Sequence, residues 1–311
     1  MRASVIKSFN CEHEVLTGEE AFKRFPHLKY TTETDGLDWW AVWDPNAGTL
    51  LADRIISTMQ KQFIAHGGVA HDNEKVVHIE PQQSGGVLVG TDKALYRAKR
   101  VVVASGGWAK HLMPNLPVSY NPLLIAVHFW HLKPEAVKDY TIMGKDVDPL
   151  HAPNTIVLHG SDSAGGDVYS IPCVDYPDRV KVGIHRGIPL PNMQGRDELK
   201  RPPRWISEVT AKHIAQHMPG LDVSKGPAVE KTCIYAMTDD ESFVVGKHPQ
   251  WPDTVLLAGP MAGTGFKFAP AIGRIMAVLA AKGEFTDYDI SAFGAERCGG
   301  GNRVAQKESK L

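Results

Sequence analysis

A strand-to-helix turn at residues 259–267 carries the residue types best suited to chemistry. Glycine stands at three positions of the turn, and Lys267 closes it. The apolar sequence Val255 to Ala258 predicts a strand before the turn, and Pro270 to Ala281 predicts a helix after it. Such a turn directs backbone N–H groups and a helix N terminus toward an electron-rich group. We therefore predict a ligand site here, although a glycine-rich loop before a helix can also be purely structural.

Four further side chains have groups capable of chemistry, and each has an ordinary structural explanation as well. A lone cysteine such as Cys233 is most often a small buried side chain. Lys181 lies in the alternating segment Val180 to Ile184, where a lysine more often faces solvent. His185 and Tyr169 are equally compatible with a half-buried histidine and a core tyrosine. The residue types alone leave these alternatives open.

Composition indicates a globular protein without a general attraction to nucleic acid or anionic membranes. The chain has 311 residues, of which 22% are charged and 43% hydrophobic, and a net charge of -1. Its apolar runs are too short to span a bilayer. The four cysteines include no Cys-x-x-Cys pair, which argues for a reducing compartment and against a zinc site. We expect no metal.

The spacing of apolar residues predicts an α/β (α+β) fold. Leu51 to His66 has a helical stripe, and a β-hairpin is predicted after it. Val101 to Ala104 predicts a buried strand that ends in a glycine turn. Short strands between residues 122 and 189 predict an antiparallel sheet, and Pro202 to Met218 predicts a helix. The elements before this sheet have the order of the second half of a nucleotide-binding domain.

The segment from Thr232 to Gly273 resembles the flavin-holding C-terminal part of the sarcosine oxidase family. This family includes peroxisomal sarcosine and L-pipecolate oxidases and is related to D-amino-acid oxidase. Its pattern Cys-x-Tyr-x-x-x-x-Asp-Glu-x-Phe is matched from Cys233 to Phe243, and a turn ending in Gly-Phe-Lys is matched at residues 265–267. The resemblance, which extends from about Val15 to about Phe293, implies an FAD/NAD(P)-binding three-layer domain, an antiparallel substrate domain and FAD-dependent amine oxidation.

The same resemblance implies roles for the candidate residues. FAD would be attached covalently through Cys233, and the glycine turn would cover the flavin. Lys267 would pair with the substrate carboxylate, whereas Lys181 would lie over the flavin and stabilise negative charge on oxygen. The other residues implied to line the amine pocket or to contact the cofactor are Tyr169, His185, Thr264, Gly263, Gly265, Phe266, Gly106, Gly107, Trp108 and Val76.

Thr264 departs from the family, which usually has histidine at this position. The residue beside the substrate amine therefore lacks an ionisable ring. The substrate implied by the resemblance is a secondary amino acid such as sarcosine or L-pipecolate, oxidised to an imine while O2 is reduced to H2O2. Because of Thr264, a fructosyl-amino-acid oxidase with the same fold is a further alternative.

The pyrophosphate-binding motif typical of such folds has no counterpart in this sequence. No Gly-x-Gly-x-x-Gly stands between a strand and a helix, and residues 1–14 are too few for a βαβ unit. We expect an N-terminally truncated cofactor domain over 1–121, a substrate domain over 122–230, a return into the cofactor domain over 231–295 and a flexible tail over 296–311. A truncated, inactive isoform or paralogue without FAD is therefore an alternative to an active oxidase.

The last three residues, Ser309, Lys310 and Leu311, match a peroxisomal address. The glycines at 299–301 predict an exposed tail, as an import receptor requires. We expect a peroxisomal monomer whose partners are the import receptor, a small amino-acid substrate and O2.

Overall fold

The computed structural model of the chain describes residues 11–136, 157–159, 168–171, 176, 178–190, 193 and 202–298. The predicted peroxisomal address lies outside these residues. Within them, every helix is too short or too polar to cross a membrane.

Helices and strands are interspersed along the chain. The strands are β1 (Glu14–Thr17), β2 (Trp40–Trp43), β3 (Val76–Pro81), β4 (Val87–Thr91), β5 (Leu95–Ala98), β6 (Val101–Val103), β7 (Tyr120–Leu132), β8 (Val157–His159), β9 (Val168–Ile171), β10 (Arg179–Pro189), β11 (Leu221–Asp222), β12 (Val229–Thr238), β13 (Val245–Lys247) and β14 (Val255–Ala258). The helices are α1 (Gly18–Arg24), α2 (Thr32–Asp35), α3 (Ala52–Ala65), α4 (Ala109–Leu112), α5 (Arg204–His217) and α6 (Ala269–Lys282).

Residue contacts divide the chain into two compact units, each assembled from separate segments. The first unit comprises the described residues within 1–62, 125–188 and 199–233, and the second those within 63–124, 189–198 and 234–311. The domain limits given above follow the expected role of each segment in cofactor or substrate binding. They stay a prediction.

The larger sheet of the first unit has the strand order β11-β7-β10-β9-β8, and β12 also pairs with β7. The pairs β8/β9, β9/β10 and β7/β11 are antiparallel, which confirms the predicted antiparallel sheet. Along β10 the side chains of Val180, Val182 and Ile184 are buried and pack in one cluster with Ile206 and Ile214 of α5. Alternation along β10 therefore fixes which of its faces meets the core.

Helix α5 also buries two histidines in the first unit. The Tyr30 hydroxyl lies 2.8 Å from Nε2 of His213, and Nδ1 of His217 donates a hydrogen bond to the Lys29 carbonyl at 3.0 Å. The Tyr30 ring stacks on the His217 ring, with 4.4 Å between the centroids. Burial, reinforced by the neighbouring His217, lowers the pKa of His213 to about 3. The His213 imidazole is therefore neutral at physiological pH.

In the second unit, β14 lies between β13 and β6, antiparallel to β13 and parallel to β6. Val255 pairs with Val101 and Leu257 with Val103, so the two strands predicted to be buried lie side by side. Helix α6 follows β14 and packs its apolar stripe against this sheet. A separate antiparallel sheet, β3-β4-β5, contains the predicted hairpin.

Helix α3 forms at the predicted place, within two residues of the predicted limits, but none of its residues is buried. Most of its apolar stripe is exposed, with Ile56, Met59, Phe63 and Ile64 among the large exposed side chains.

Candidate functional site

Two glycine turns begin at the same edge of the β6/β14 sheet. The turn at residues 259–267 follows β14, and the turn at Gly106–Trp108 follows β6. Because β6 and β14 are parallel and in register, their carboxyl ends lie side by side. Ligands of open α/β sheets bind at the carboxyl ends of such strands. The fold therefore places both sequence-predicted cofactor turns where a ligand is expected.

The conformation of the first turn requires glycine at two positions. Gly263 has a φ of 75°, and a Cβ built there would approach the Tyr235 ring to 2.7 Å. A Cβ at Gly265 would lie 2.5 Å from the Met261 Cβ. The turn is also tied to the unit through backbone hydrogen bonds, since Ala262 N–H donates to the Ala236 carbonyl at 3.1 Å. Any larger residue at these glycines has to displace the turn.

The polar candidates of this turn face outward. Thr264 and Lys267 are exposed, and Phe266 is exposed between them. A short 3-10 segment, Gly265–Phe268, leads directly into α6. The turn thus presents a hydroxyl and an ammonium group next to the N-terminal end of a helix, a combination that suits a carboxylate or another electron-rich group.

The second turn is closed on one side by other side chains. Gly106 has a φ of 54°, and a Cβ built there would meet nothing within 4 Å. Gly107 is buried, and a Cβ there would lie 3.0 Å from Sδ of Met193. The Ser105 hydroxyl, just before the turn, is buried with no hydrogen-bond partner among the described residues. The open side of the turn is consequently the Gly106 side.

Val76 also belongs to the second unit. It begins β3 and pairs with Thr91 of β4. Its side chain is half-buried and packs against the apolar cluster that contains Val103 and Ala109. A backbone contact between Val76 and a nucleotide stays a prediction.

In the first unit, Lys181, His185 and Tyr169 lie on one face of the antiparallel sheet. Lys181, Gly183 and His185 alternate with the buried residues of β10 and therefore occupy the opposite face. Tyr169 of β9 pairs with Gly183, and a Cβ at Gly183 would lie 2.6 Å from the Tyr169 ring. The absence of a side chain at Gly183 lets the phenol ring cross β10 between the lysine and the histidine.

Lys181 and His185 are both half-buried rather than fully exposed. An alternating strand predicts that Lys181 faces solvent, but its side chain is half-buried. A partly buried ammonium interacts more strongly with nearby negative charge than one in bulk water. The lysine is therefore suitably placed to stabilise an anion at this face of the sheet.

Cys233 lies on β12, and its thiol-bearing side chain is exposed. The exposed position corrects the expectation that composition alone favours, a small buried side chain. β12 continues through Tyr235, whose ring is in contact with the Gly263 position, and ends at Thr238. An exposed cysteine is accessible for covalent attachment, whereas a buried one is not.

The acidic segment after β12 is structural. The Arg297 guanidinium donates to Asp240 at 2.7 Å, and the same carboxylate accepts from the Ser242 N–H at 3.1 Å. The hydrogen bond from Arg297 lowers the pKa of Asp240 to about 2. The Thr238 hydroxyl donates to the Ser242 carbonyl at 2.7 Å. This part of the family pattern therefore forms a fixed turn.

Sequence reasoning did not identify Tyr235, Met193 or Tyr120, although each touches one of the glycine turns. Tyr235 belongs to the recognised motif, but its contact with the Gly263 position depends on how the chain folds back. Met193 and Tyr120 lie outside every motif. Only tertiary contacts bring these two side chains to the Gly107 turn.

The sequence of the chain matches the family described as FAD dependent oxidoreductase (DAO) over residues 2–279. The chain therefore belongs to this family of flavin-dependent enzymes. Within it, the chain is an amine oxidoreductase of the sarcosine oxidase type, which confirms the resemblance inferred from the motifs. The described part of the chain contains no group of three or more histidine, cysteine or acidic residues able to hold a metal ion.

Two relatives document this similarity. The chain is 31% identical over 292 residues to a putative sarcosine oxidase of Caenorhabditis elegans, an alignment that covers 94% of this chain and 71% of the relative. It is 28% identical over 298 residues to peroxisomal sarcosine oxidase of Mus musculus, with coverages of 92% and 68%.

Solved structures of amino-acid and amine oxidases have the same fold. NikD, an amino acid oxidase essential for nikkomycin biosynthesis, aligns with a TM-score of 0.71 and 20% identity, covering 94% of this chain and 70% of NikD. A fructosyl peptide oxidase aligns with a TM-score of 0.72 and 17% identity, covering 96% and 72%. At these identities the likeness establishes the fold alone.

The residues of the site fit FAD. The two glycine turns lie at the carboxyl ends of adjacent parallel strands, and the space beside Gly106 is open. An exposed ammonium at Lys267 adds a positive charge to the first turn. These residues would hold the cofactor.

Proposed function

We propose that the protein oxidises a secondary amino acid of the sarcosine or L-pipecolate type to an imine and reduces O2 to H2O2. One observation carries this proposal. Lys181, Tyr169 and His185 share the face of the antiparallel sheet that is opposite its apolar core. A cation, a phenol and an imidazole on one face provide the groups that an amino-acid substrate and a developing oxygen anion require.

The residues of the chain have separate roles in this reaction. FAD, when bound, supplies the redox chemistry by accepting two electrons from the substrate and passing them to O2. Lys267 pairs with the substrate carboxylate through charge-assisted hydrogen bonds. Tyr169 and His185 orient the substrate nitrogen, and Lys181 stabilises negative charge on oxygen. The substrate loses two electrons and two protons, which O2 gains as H2O2.

Thr264 and the fold support a second candidate, an oxidase of fructosyl amino acids. Threonine offers a hydroxyl where sarcosine oxidases usually have histidine, and it is exposed on the turn. A fructosyl peptide oxidase is among the proteins with this fold. Turnover of sarcosine, L-pipecolate and fructosyl-glycine, measured as H2O2 formation by one preparation, separates the two candidates. A kcat/KM that is highest for fructosyl-glycine would replace the first proposal by the second.

Covalent attachment of FAD through Cys233 is part of the proposal. The exposed position of the cysteine on β12 supports it. Purified protein is expected to keep its flavin absorption bands after acid precipitation, and Cys233→Ser is expected to release the flavin while still binding it before precipitation. Protein that contains no flavin after expression and after incubation with FAD would instead support the alternative of an inactive, FAD-free form.

The role of Lys181 is tested by replacing it with methionine in flavin-loaded protein. Lys181→Met removes the charge and keeps most of the side-chain volume. Anaerobic flavin reduction by substrate is expected to continue at a similar rate, whereas reoxidation by O2 slows by roughly 10²–10³-fold, the usual effect of removing one charge-stabilising group. Stopped-flow absorbance of the flavin measures both half-reactions.

Lys267→Met is the matched control, because it removes the same charge at the other proposed position. This variant is expected to raise the substrate concentration needed for half-maximal flavin reduction and to leave reoxidation by O2 unchanged. If Lys181→Met slows reduction and spares reoxidation, the assignment of the two lysines is wrong.

We also propose that the protein is a peroxisomal monomer. Ser309, Lys310 and Leu311 support peroxisomal import, and the relatives of mouse and man carry the name peroxisomal sarcosine oxidase. Relatives named monomeric sarcosine oxidase support the monomer. A fluorescent protein fused before the full chain is expected to enter peroxisomes and to remain cytosolic when Leu311 is deleted. Light scattering after size exclusion is expected to give the mass of one chain.

A further inference from the structure

Tyr120 connects two backbone groups of the turn that follows β6. It is the first residue of β7 and is 5% exposed. Its hydroxyl donates a hydrogen bond to the Gly107 carbonyl at 2.9 Å and accepts one from the Lys110 N–H at 3.0 Å. Gly107 and Lys110 are three residues apart, so a further 3-10 turn would join these two groups directly. The tyrosine hydroxyl lies between them instead.

The environment of Tyr120 keeps its hydroxyl protonated. The ring packs in the apolar cluster that contains Ala109, Leu112 and Val118. Burial raises the pKa of the phenol above its ordinary value. The Lys110 ammonium lies 5.2 Å from the centroid of the ring. A protonated hydroxyl can both donate and accept, as the bridge between Gly107 and Lys110 requires.

The Gly107 turn is therefore held from more than one direction. A Cβ at Gly107 would meet Sδ of Met193 at 3.0 Å and a methyl group of Ile234 at 3.5 Å, so these side chains close one side of the turn. Tyr120 fixes the carbonyl of the same residue. Gly106, which has a φ of 54° and open space around its Cβ position, is the part of the turn accessible to a ligand.

We propose that Tyr120 is a positioning residue for the cofactor: its hydroxyl holds the Gly106–Trp108 turn in the conformation that receives FAD. The inference rests on the proposed function insofar as FAD is the ligand of this turn. Tyr120 itself does not touch the reacting atoms. Its contribution is to fix the Gly107 carbonyl relative to the Lys110 N–H at the point where the turn passes into α4.

The test uses Tyr120→Phe, which removes the hydroxyl and retains the ring in its apolar cluster. The Cys233→Ser background makes FAD binding reversible, and quenching of flavin fluorescence gives the Kd. We expect the Kd to rise roughly five- to tenfold, which corresponds to the loss of about one hydrogen bond. The KM for substrate at saturating FAD is expected to remain unchanged.

Tyr30→Phe is the matched control, because the Tyr30 hydroxyl is also buried and lies 2.8 Å from His213 in the first unit. This variant loses a comparable hydrogen bond away from the turn, so a general loss of stability affects both variants. An unchanged Kd in Tyr30→Phe together with a raised Kd in Tyr120→Phe supports the positioning role. Equal Kd values in both variants and the parent overturn it. A parent that binds no FAD contradicts the proposed function instead.

Hydrogen exchange of the protein without FAD provides a second readout. Amides of residues 106–112 are expected to exchange roughly five- to tenfold faster in Tyr120→Phe than in Tyr30→Phe, whereas amides of α6 exchange equally in both. Equal exchange at residues 106–112 would show that the hydroxyl does not hold the turn, even if the Kd for FAD changes. This readout does not depend on activity or on bound flavin.

Discussion

Helices α3 and α6 have the same length and very different surroundings. Both have 14 residues and an apolar stripe at helical spacing. In α6 the stripe is buried against the β6/β14 sheet, whereas in α3 most of it is exposed. The buried residues of α6 are Ile272, Ile275, Met276 and Leu279, and the large exposed apolar residues of α3 are Ile56, Met59, Phe63 and Ile64.

The difference shows that an amphipathic pattern predicts a helix and its apolar face, but not what covers that face. Burial of a leucine, isoleucine or methionine side chain contributes about 1.5–3 kcal/mol, and α6 buries four such residues. Because most of the α3 stripe is exposed, it contributes little to the free energy of unfolding. A contiguous exposed apolar patch promotes association. Substitutions in α6 should therefore lower the free energy of unfolding, whereas substitutions in α3 should mainly change self-association.

The largest expected effect is in α6. Leu279 is 4% exposed, so Leu279→Ala leaves a cavity and should lower the free energy of unfolding by about 2–5 kcal/mol. Urea denaturation followed by tryptophan fluorescence measures the change. Met59→Ala in α3, where the side chain is 52% exposed, is the control and should change it by less than about 0.5 kcal/mol. Similar losses in both variants would contradict the contrast between the helices.

A third helix of 14 residues, α5, buries a histidine that makes the stability of the protein depend on pH. Its buried His213 has a pKa of about 3 in the folded protein, against a usual value of 6.5. Between these values the unfolded chain binds a proton that the folded protein does not, so stability falls as pH decreases below 6.5. The expected slope from this residue is about 0.7 kcal/mol per pH unit at pH 6.5 and approaches about 1.4 near pH 5.

His213→Gln is the variant that isolates this contribution. Other buried histidines, His128 and His248, also have pKa values lowered by burial, so the wild-type slope contains more than one residue. The measurement is the difference in unfolding free energy between wild type and variant at pH 5.0, 5.5, 6.0 and 6.5. A difference that does not change over this range would mean that folding does not lower the pKa of His213.

Local sequence signals were sufficient for much of the fold. The helical stripes located α3, α5 and α6 to within a few residues, and the apolar segments before the two glycine turns located β6 and β14. These elements follow from periodicity and from glycine positions, which are properties of short segments.

Other features depend on contacts between distant segments and left no local signal. The exposure of Cys233 was opposite to what composition favours, because β12 places that side chain outside the core. The crossing of the Tyr169 ring over Gly183 depends on the register of β9 against β10. The bridge formed by Tyr120 joins groups ten to thirteen residues away, and neither glycine spacing nor hydrophobic pattern encodes it.

The smallest expected effect on stability concerns the exposed stripe of α3. In the double variant Ile56→Gln and Met59→Gln, two exposed apolar side chains become polar, and glutamine favours a helix at least as well as isoleucine. The unfolding free energy should change by less than about 0.5 kcal/mol, while self-association at high concentration decreases because the apolar patch is interrupted. Sedimentation velocity over a concentration series measures the association, and urea denaturation measures the stability.

Ile275→Gln in α6 is the control, because it makes the same substitution at a buried position. It should lower the free energy of unfolding by several kcal/mol, on the order of the cost of burying an unpaired polar group. If the α3 variant is destabilised as strongly as the α6 variant, its stripe is packed in solution, and the contrast between the two helices does not hold.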